Sequence, residues 1–423
     1  MDLNELLNQK EALAYIKEET DIFADLKNLN ISSLNANTLS VNGFANNLFL
    51  IEDKKSGKKV VLKQLLPYVR KAALENVNIP LPEGRIYSEI FSLKFWRGSF
   101  PGYVPEVYHF DSKNNIIIFE YIEKMLLLRS ALIKGKRFSK LADHISTFLA
   151  KTAFYSSQHF LSKEEFDKLL KFFSSSDSIE IWDLLIFQGA ILAAEDKNIN
   201  PYLEQKIIQF RGDKTIIKKT KEIRSLFKNT KESLIHGDFH TSNIFVGENK
   251  IKIFDTEFAG YGPPAFDMGR LLGNILLNYS SLLGMNYSLQ RKKYQNYLLQ
   301  LIEKIYTLFE NKFSRLIQGK TDCSSSFLED YFDKYLYQVL SLAALVMIMR
   351  IYEEGLCLDF KRIESVKKRA VGQEFVIELA RKILYQNKEI KNITKLCQLT
   401  ADFSYQYQVD KVKSQVLKAV KQF

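Results

Sequence analysis

Ile235-His236-Gly237-Asp238-Phe239-His240-Thr241-Ser242-Asn243-Ile244, followed by Ile253-Phe254-Asp255-Thr256-Glu257-Phe258-Ala259, decides the reading of this chain. It places an aspartate, an asparagine five positions on, and an Asp-x-Glu pair after a short apolar strand. Asp238 falls on a loop after the strand Ser233-Leu234-Ile235, where a carboxylate can accept the proton of an attacking hydroxyl. Asn243 offers an amide oxygen to Mg²⁺, and Asp255 a hard carboxylate oxygen. Glu257 can add a second carboxylate or hold a metal-bound water. These parts suit phosphoryl transfer to a hydroxyl, which needs positioning, metal on the phosphates and charge neutralisation. His236 and His240 are spaced like zinc ligands on a helix. Gly237 and Asp238 between them disfavour that helix, and no Glu follows His236 as a zinc protease would require. His236 reads instead as a support for its loop through ring hydrogen bonds.

The residues upstream supply the other half of such a site. Thr38-Leu39-Ser40-Val41, Asn47-Leu48-Phe49-Leu50-Ile51 and Val60-Val61-Leu62-Lys63-Gln64 read as short strands separated by the turn signals Asn42-Gly43 and Lys54 to Lys58. Arg85 to Trp96 has helical spacing, and Asn114-Asn115 turns into the apolar strand Ile116 to Tyr121. Lys63 on a strand can reach the phosphates of a nucleotide, and Glu89 on the helix can orient it by an ion pair. A lysine in a strand and a glutamate in a helix are ordinarily surface charges, so this pair gains meaning only from the downstream motif. Gly43 with Asn46 makes a poor glycine-rich loop, and the Walker A pattern is missing. These elements predict a small α+β lobe ending near residue 122.

The first 30 residues are expected to form a helix. Beyond residue 122 the patterns predict mostly helix, over Leu141 to Phe154, Ile179 to Ala194, Leu271 to Leu283, Tyr294 to Phe313 and Asp330 to Tyr352. A hairpin over 244–254 interrupts them. Val409 to Phe423 reads as a solvated basic helix.

With 423 residues, the chain is too long for one ordinary core, so two lobes are expected, 1–122 and 123–423. Hydrophobic content of 46% and charged content of 26% fit a soluble globular protein. No apolar run of membrane-spanning length is evident, and Met1 to Glu5 is unlike a signal peptide. Cys323, Cys357 and Cys397 suit reduced thiols in a cytoplasmic setting. The formal charge of +11 is spread along the chain without a basic tract joined to an aromatic platform, so neither nucleic acid nor membrane is expected as a partner.

The motif His236 to Thr241 together with Asp255-Thr256-Glu257-Phe258-Ala259-Gly260-Tyr261-Gly262-Pro263 resembles the methylthioribose kinases, within the aminoglycoside and choline kinase-like phosphotransferases. Phe266-Asp267-Met268-Gly269, Leu62 to Arg70 and Val104 to Asp111 are similar to the same family, and the likeness runs from about 40 to about 385. The resemblance implies an α+β, bilobal protein-kinase-like fold, ATP with Mg²⁺, and phosphorylation of a sugar 1-hydroxyl in methionine salvage. It implies that Asp238 is base and substrate anchor, and that Asp255, Thr256 and Glu257 handle phosphate and metal. By the same likeness Asn46 and Lys63 contact ATP, Glu120, Tyr121 and Ile122 form the hinge beside adenine, and a homodimer is possible. The family carries two consecutive arginines in a late helix that contact the sugar; here Arg350 is kept and Met349 stands in the other place. The tryptophan expected in the loop after Arg70 is absent from Glu75 to Pro80. The same machinery also suits another sugar, an amino alcohol or an aminoglycoside as acceptor, or a nucleotide-binding protein without turnover.

Overall fold

The period-two alternation of a few short strands builds the part of the molecule that matters most here. The computed structural model describes residues 6–34, 45–70, 80–174, 180–192, 199–320, 324–352 and 357–420. The strands Leu29–Ser33 (β1), Asn47–Asp53 (β2), Lys59–Gln64 (β3), Val107–Asp111 (β4) and Ile116–Glu120 (β5) form one antiparallel sheet in the order β1-β2-β3-β5-β4. On one face Phe49, Ile51, Val60, Leu62, Ile116 and Ile118 pack with Leu7, Ala12 and Ile16 around the helix Gln9–Glu19 (α1). On the other face Leu65 and Ile117 meet Ile86 of the helix Arg85–Ser99 (α2). Each fully buried side chain of this kind contributes about 1.5–3 kcal/mol. Because successive residues of a strand point to opposite faces, Val60 and Leu62 on the α1 face put Lys63 on the α2 face. The register pairs Lys63 with Ile117, which packs against α2.

The expected helix over the first 30 residues is corrected. Asn8 and Glu11 form a reciprocal capping box that starts α1, and Thr20 is already extended at φ −141° and ψ 149°. Residues 29–33 are strand because Ile31 sits opposite Ile51 and completes the apolar face. The strand expected at 38–41 and the tryptophan-lacking loop at 75–79 lie outside the described residues. The turn at Asn114-Asn115 is present, with Asn115 at φ +54°.

By contacts the chain divides into two compact units. The first comprises Met1–Lys134, Lys151–Ile181 and Lys231–Gly262, and the second Gly135–Ala150, Trp182–Thr230 and Pro263–Phe423. The first unit also holds Leu126–Leu127 (β6), Ser233–Ile235 (β7), Ile244–Val246 (β8), Ile251–Ile253 (β9) and Gly260–Gly262 (β10). The expected hairpin is β8–β9, β6 pairs along its free side, and β7 pairs β10.

The second unit is helical: Glu204–Arg211 (α6), Lys214–Asn229 (α7), Ala265–Ser281 (α8), Leu289–Gln318 (α9), Ser325–Tyr352 (α10), Leu358–Lys361 (α11), Val366–Gln386 (α12) and Ile393–Val420 (α13). Earlier in the chain, Leu128–Ile133 (α3) and Lys163–Ser174 (α5) belong to the first unit, and Leu141–Tyr155 (α4) runs from the second unit into the first. The helix expected at 179–194 is instead wound as a π-helix over Asp183–Leu192, and the basic segment from Val409 is the end of α13. By length and composition alone helix α10 is apolar enough to cross a membrane, but 78% of its apolar stretch is buried within the protein, much of it against α8 and α12. With strands gathered in the first unit and helices in the second, the chain is α+β.

Candidate active site

Every residue of the opening motif lies in the first unit, and the short strands aim it. β7 delivers Gly237 and Asp238 into a loop that the ring of His236 closes. His236 Nδ1 accepts the Asp238 N–H at 3.2 Å, and its Nε2–H donates to Phe254 O at 3.0 Å. The ring also stacks on Trp96, with centroids 6.1 Å apart and planes at 20°. His240 is spent on the same loop: Nδ1 accepts the Ser242 N–H at 3.0 Å and Nε2 lies 3.4 Å from Asp238 Oδ2. Both histidines therefore orient the loop, as the spacing argument held for His236.

Asp238 is 9% exposed. Asn243 Nδ2 donates to both Asp238 O at 3.0 Å and Asp238 Oδ2 at 3.2 Å, which fixes the carboxylate against its own loop. The amide oxygen of Asn243 is then the atom left for a cation. The Asn243 carbonyl accepts the Phe254 N–H at 3.2 Å, which sets the loop beside Asp255. Asp255 lies two residues beyond β9 and has φ +63°, a conformation uncommon for a residue with a side chain and found often where function holds it.

Lys63 and Glu89 meet as the sequence suggested. Lys63 Nζ lies 2.7 Å from Glu89 Oε2, 2.6 Å from Asp255 Oδ1 and 3.2 Å from Glu257 Oε2. Glu257 is held further by Arg85 Nη1, 2.8 Å from Oε1, and by Asn46 Nδ2, which donates to Oε2 at 2.6 Å. Thr256 Oγ1 accepts from Ser92 Oγ at 2.8 Å and donates to Glu89 O at 3.3 Å. Three carboxylates thus meet two cations in a buried space. Burial alone works to lower the Lys63 pKa, but Asp255, Glu257 and Glu89 outweigh it and hold the ammonium charged. Burial pushes Glu89 up to about 7 despite Lys63, and burial also raises Asp255. For Glu257 burial is overcome, first by Arg85 and then by Lys63, so its carboxyl stays below the usual range.

The remaining expected residues are placed as follows. Glu120 ends β5; its Oε2 accepts from Lys252 Nζ at 2.9 Å and from the Glu106 N–H at 3.1 Å, and its own N–H donates to Glu106 O at 2.8 Å. Tyr121 and Ile122 follow it as irregular, half-buried chain. Arg350 stands in the last turn of α10, in the second unit, and is half-buried like Met349.

The carboxylates that surround Lys63 Nζ are oxygen donors of the type a divalent cation takes. Glu89, Asp255 and Glu257 each present a carboxylate oxygen within 4.8 Å of one another, which makes them the one such three-residue group among the described residues. Hard oxygen donors of this kind select Mg²⁺ or Ca²⁺ over softer metals. Asp255 is the most open of the three, with 27% of its side chain exposed against 2% or less for the others. Asn46 Oδ1 is buried without a hydrogen-bond partner among the described residues, so a ligand donor is suited to it. Sequence reasoning missed Arg85 and Ser92. Their only signal was that Arg85, Glu89 and Ser92 repeat at i, i+4 and i+7.

The phosphotransferase enzyme family matches residues 190–293. A solved ethanolamine kinase of Plasmodium vivax covers 92% of this chain and 93% of its own, with 15% identity and a TM-score of 0.46. Methylthioribose kinase of Escherichia coli O45:K1 (strain S88 / ExPEC) is 30% identical over 84% of this chain and 88% of its own. Methylthioribose kinase 1 of Oryza sativa subsp. japonica is 30% identical over 406 residues, 92% of this chain and 93% of its own. With relatives at this identity matched nearly end to end, the chain belongs to the methylthioribose kinase family.

Proposed function

We propose that this enzyme transfers the γ-phosphoryl group of ATP to the 1-hydroxyl of 5-methylthioribose, a step of methionine salvage. The observation that carries the reading is the buried cluster in which Lys63 gathers Glu89, Asp255 and Glu257, in one unit with Asp238 and Asn243. Asp238 orients the acceptor hydroxyl and takes its proton as the oxygen attacks phosphorus, while Asn243 and His240 keep the carboxylate aimed through Oδ2. Lys63 neutralises the phosphates, with Glu89 holding its ammonium in place. Asp255, Glu257 and the Asn243 amide oxygen are the residues suited to Mg²⁺, which when bound neutralises phosphate charge and orients the chain of phosphates. Asn46, Thr256 and the stretch Glu120, Tyr121 and Ile122 complete the nucleotide side. The working division is a nucleotide-clamping lobe over 1–122 and a catalytic and acceptor-binding lobe over 123–423, in a cytoplasmic enzyme.

ADP release measured with methylthioribose and with a panel of other hydroxyl acceptors tests this directly. Asp238→Ala is expected to lower kcat by about 10²–10⁴ while nucleotide binding persists. Unchanged turnover in that variant would remove Asp238 as the base. Met349, standing where the resemblance implies a second arginine, supports a second reading in which the preferred acceptor is a different sugar. A panel in which another sugar turns over faster than methylthioribose selects that reading.

A further inference from the structure

Arg85, the counter-charge of Glu257, is 1% exposed. A guanidinium buried to this degree is tolerated only with its charge matched and its donors engaged. Nε donates to Pro82 O at 3.2 Å, and Nη2 donates to Leu66 O. Those two carbonyls fix the group to the chain leaving β3 and to the turn that opens α2, whatever Glu257 does. Nη1 lies 2.8 Å from Glu257 Oε1 as an ion pair, off the angle of a hydrogen bond, and the Phe258 ring lies 5.8 Å from the guanidinium carbon.

The rest of α2 grips the same segment. Glu89, one turn on from Arg85, reaches it through Lys63 and through its own carbonyl, which accepts from Thr256. Ser92, a further turn on, bonds Thr256 directly. Lys63 by contrast divides itself among three carboxylates, and Glu257 is its longest contact at 3.2 Å. An ammonium that turns toward phosphate gives up some of those contacts; the fork of Arg85, tied at two other points, keeps its own.

We propose that Arg85 is a positioning residue that anchors the Glu257 carboxylate independently of Lys63, so that Lys63 can engage phosphate without releasing the Asp-x-Glu segment. The inference rests on the reading of Glu257 as a metal- and phosphate-handling residue. It is tested by calorimetric titration of ADP, with and without MgCl₂, into wild type, Arg85→Met, Arg85→Lys and Glu257→Gln. Wild type is expected to bind ADP more tightly with Mg²⁺. Arg85→Met should lose at least tenfold of that enhancement while its metal-free ADP affinity stays within threefold of wild type. Arg85→Lys preserves the charge but not the fork, and should lose at least threefold; it serves alone if the methionine variant does not fold. Full enhancement in both Arg85 variants, with loss in Glu257→Gln, overturns the inference and leaves the reading of Glu257 standing. An equal loss of metal-free affinity in the Arg85 variants also overturns it, because a general collapse of the pocket would then explain the defect. Full enhancement in Glu257→Gln removes the underlying reading, and the inference with it.

Discussion

Gly237 makes the sharpest demand of any single residue in the site. Its φ is +79°, and a Cβ built there would lie 2.0 Å from the carbonyl oxygen of Phe258. The backbone of the Asp238 loop and that of the Asp-x-Glu segment touch at this point, so no side chain can be accommodated by a rotamer change. Gly237→Ala is expected to cost about 2–5 kcal/mol, from left-handed strain and a backbone clash together, and to reduce turnover further by moving Asp238. Urea unfolding and kcat check the two parts; a variant within about 0.5 kcal/mol of wild type would show that the loop relaxes freely. Asp238, Asn243 and Asp255 were legible in the sequence because their geometry is local: five residues of loop and one hairpin set it. Arg85 was not legible. Its meaning lies in Glu257, far along the chain, and in a helix face that pattern reading assigns to solvent.

At the scale of elements, period and capping decided what could be read. The strands β2, β3 and β5 follow from short apolar runs bounded by turn signals, and α2 from its i, i+4 stripe. The first strand and the π-helix over Asp183–Leu192 did not follow. The former depends on an edge to pair with, and the latter has an apolar run without a helical period. Long helices such as α9 carry a different consequence. Burial pushes Glu310, beside Tyr306, up to about 7. Its unfolded value is near 4.5, so between those limits the folded chain binds the more protons. The charged form is the one that folding disfavours, and stability from this group is lost as pH rises from about 4.5 through 7. Glu310→Gln keeps the shape and removes the titration. The variant is expected to match wild type at pH 4.5 and to exceed its urea midpoint increasingly up to pH 7.5. A constant difference across that range would place the titration elsewhere. The pairing of α8 with α10 is equally demanding, since a Cβ on Gly273 would lie 2.8 Å from Ala343 O. Gly273→Val should therefore cost more than the 1–3 kcal/mol of ordinary overpacking, read as a fall in Tm.

For the whole molecule, the sequence reading of an α+β chain with a sheet-bearing first part and a helical remainder agrees with the structure. The two compact units, however, interleave along the chain, because residues 151–181 and 231–262 pack with residues 1–134. Linear patterns carry no record of such joining. The same division separates the chemistry. Lys63, Glu89, Asp238, Asn243, Asp255 and Glu257 all belong to the first unit, whereas Arg350 belongs to the second. If Arg350 recognises the acceptor, as the resemblance implies, then its loss should leave the nucleotide side intact. A charged hydrogen bond lost from a substrate is worth about 1.5–3 kcal/mol, or roughly 10- to 150-fold in affinity. Arg350→Ala is accordingly expected to raise KM for methylthioribose by at least tenfold while KM for ATP stays within about twofold. Restoring the family pattern with Met349→Arg should lower the acceptor KM if the position faces the sugar. An Arg350→Ala enzyme with both KM values unchanged would take this arginine out of the site.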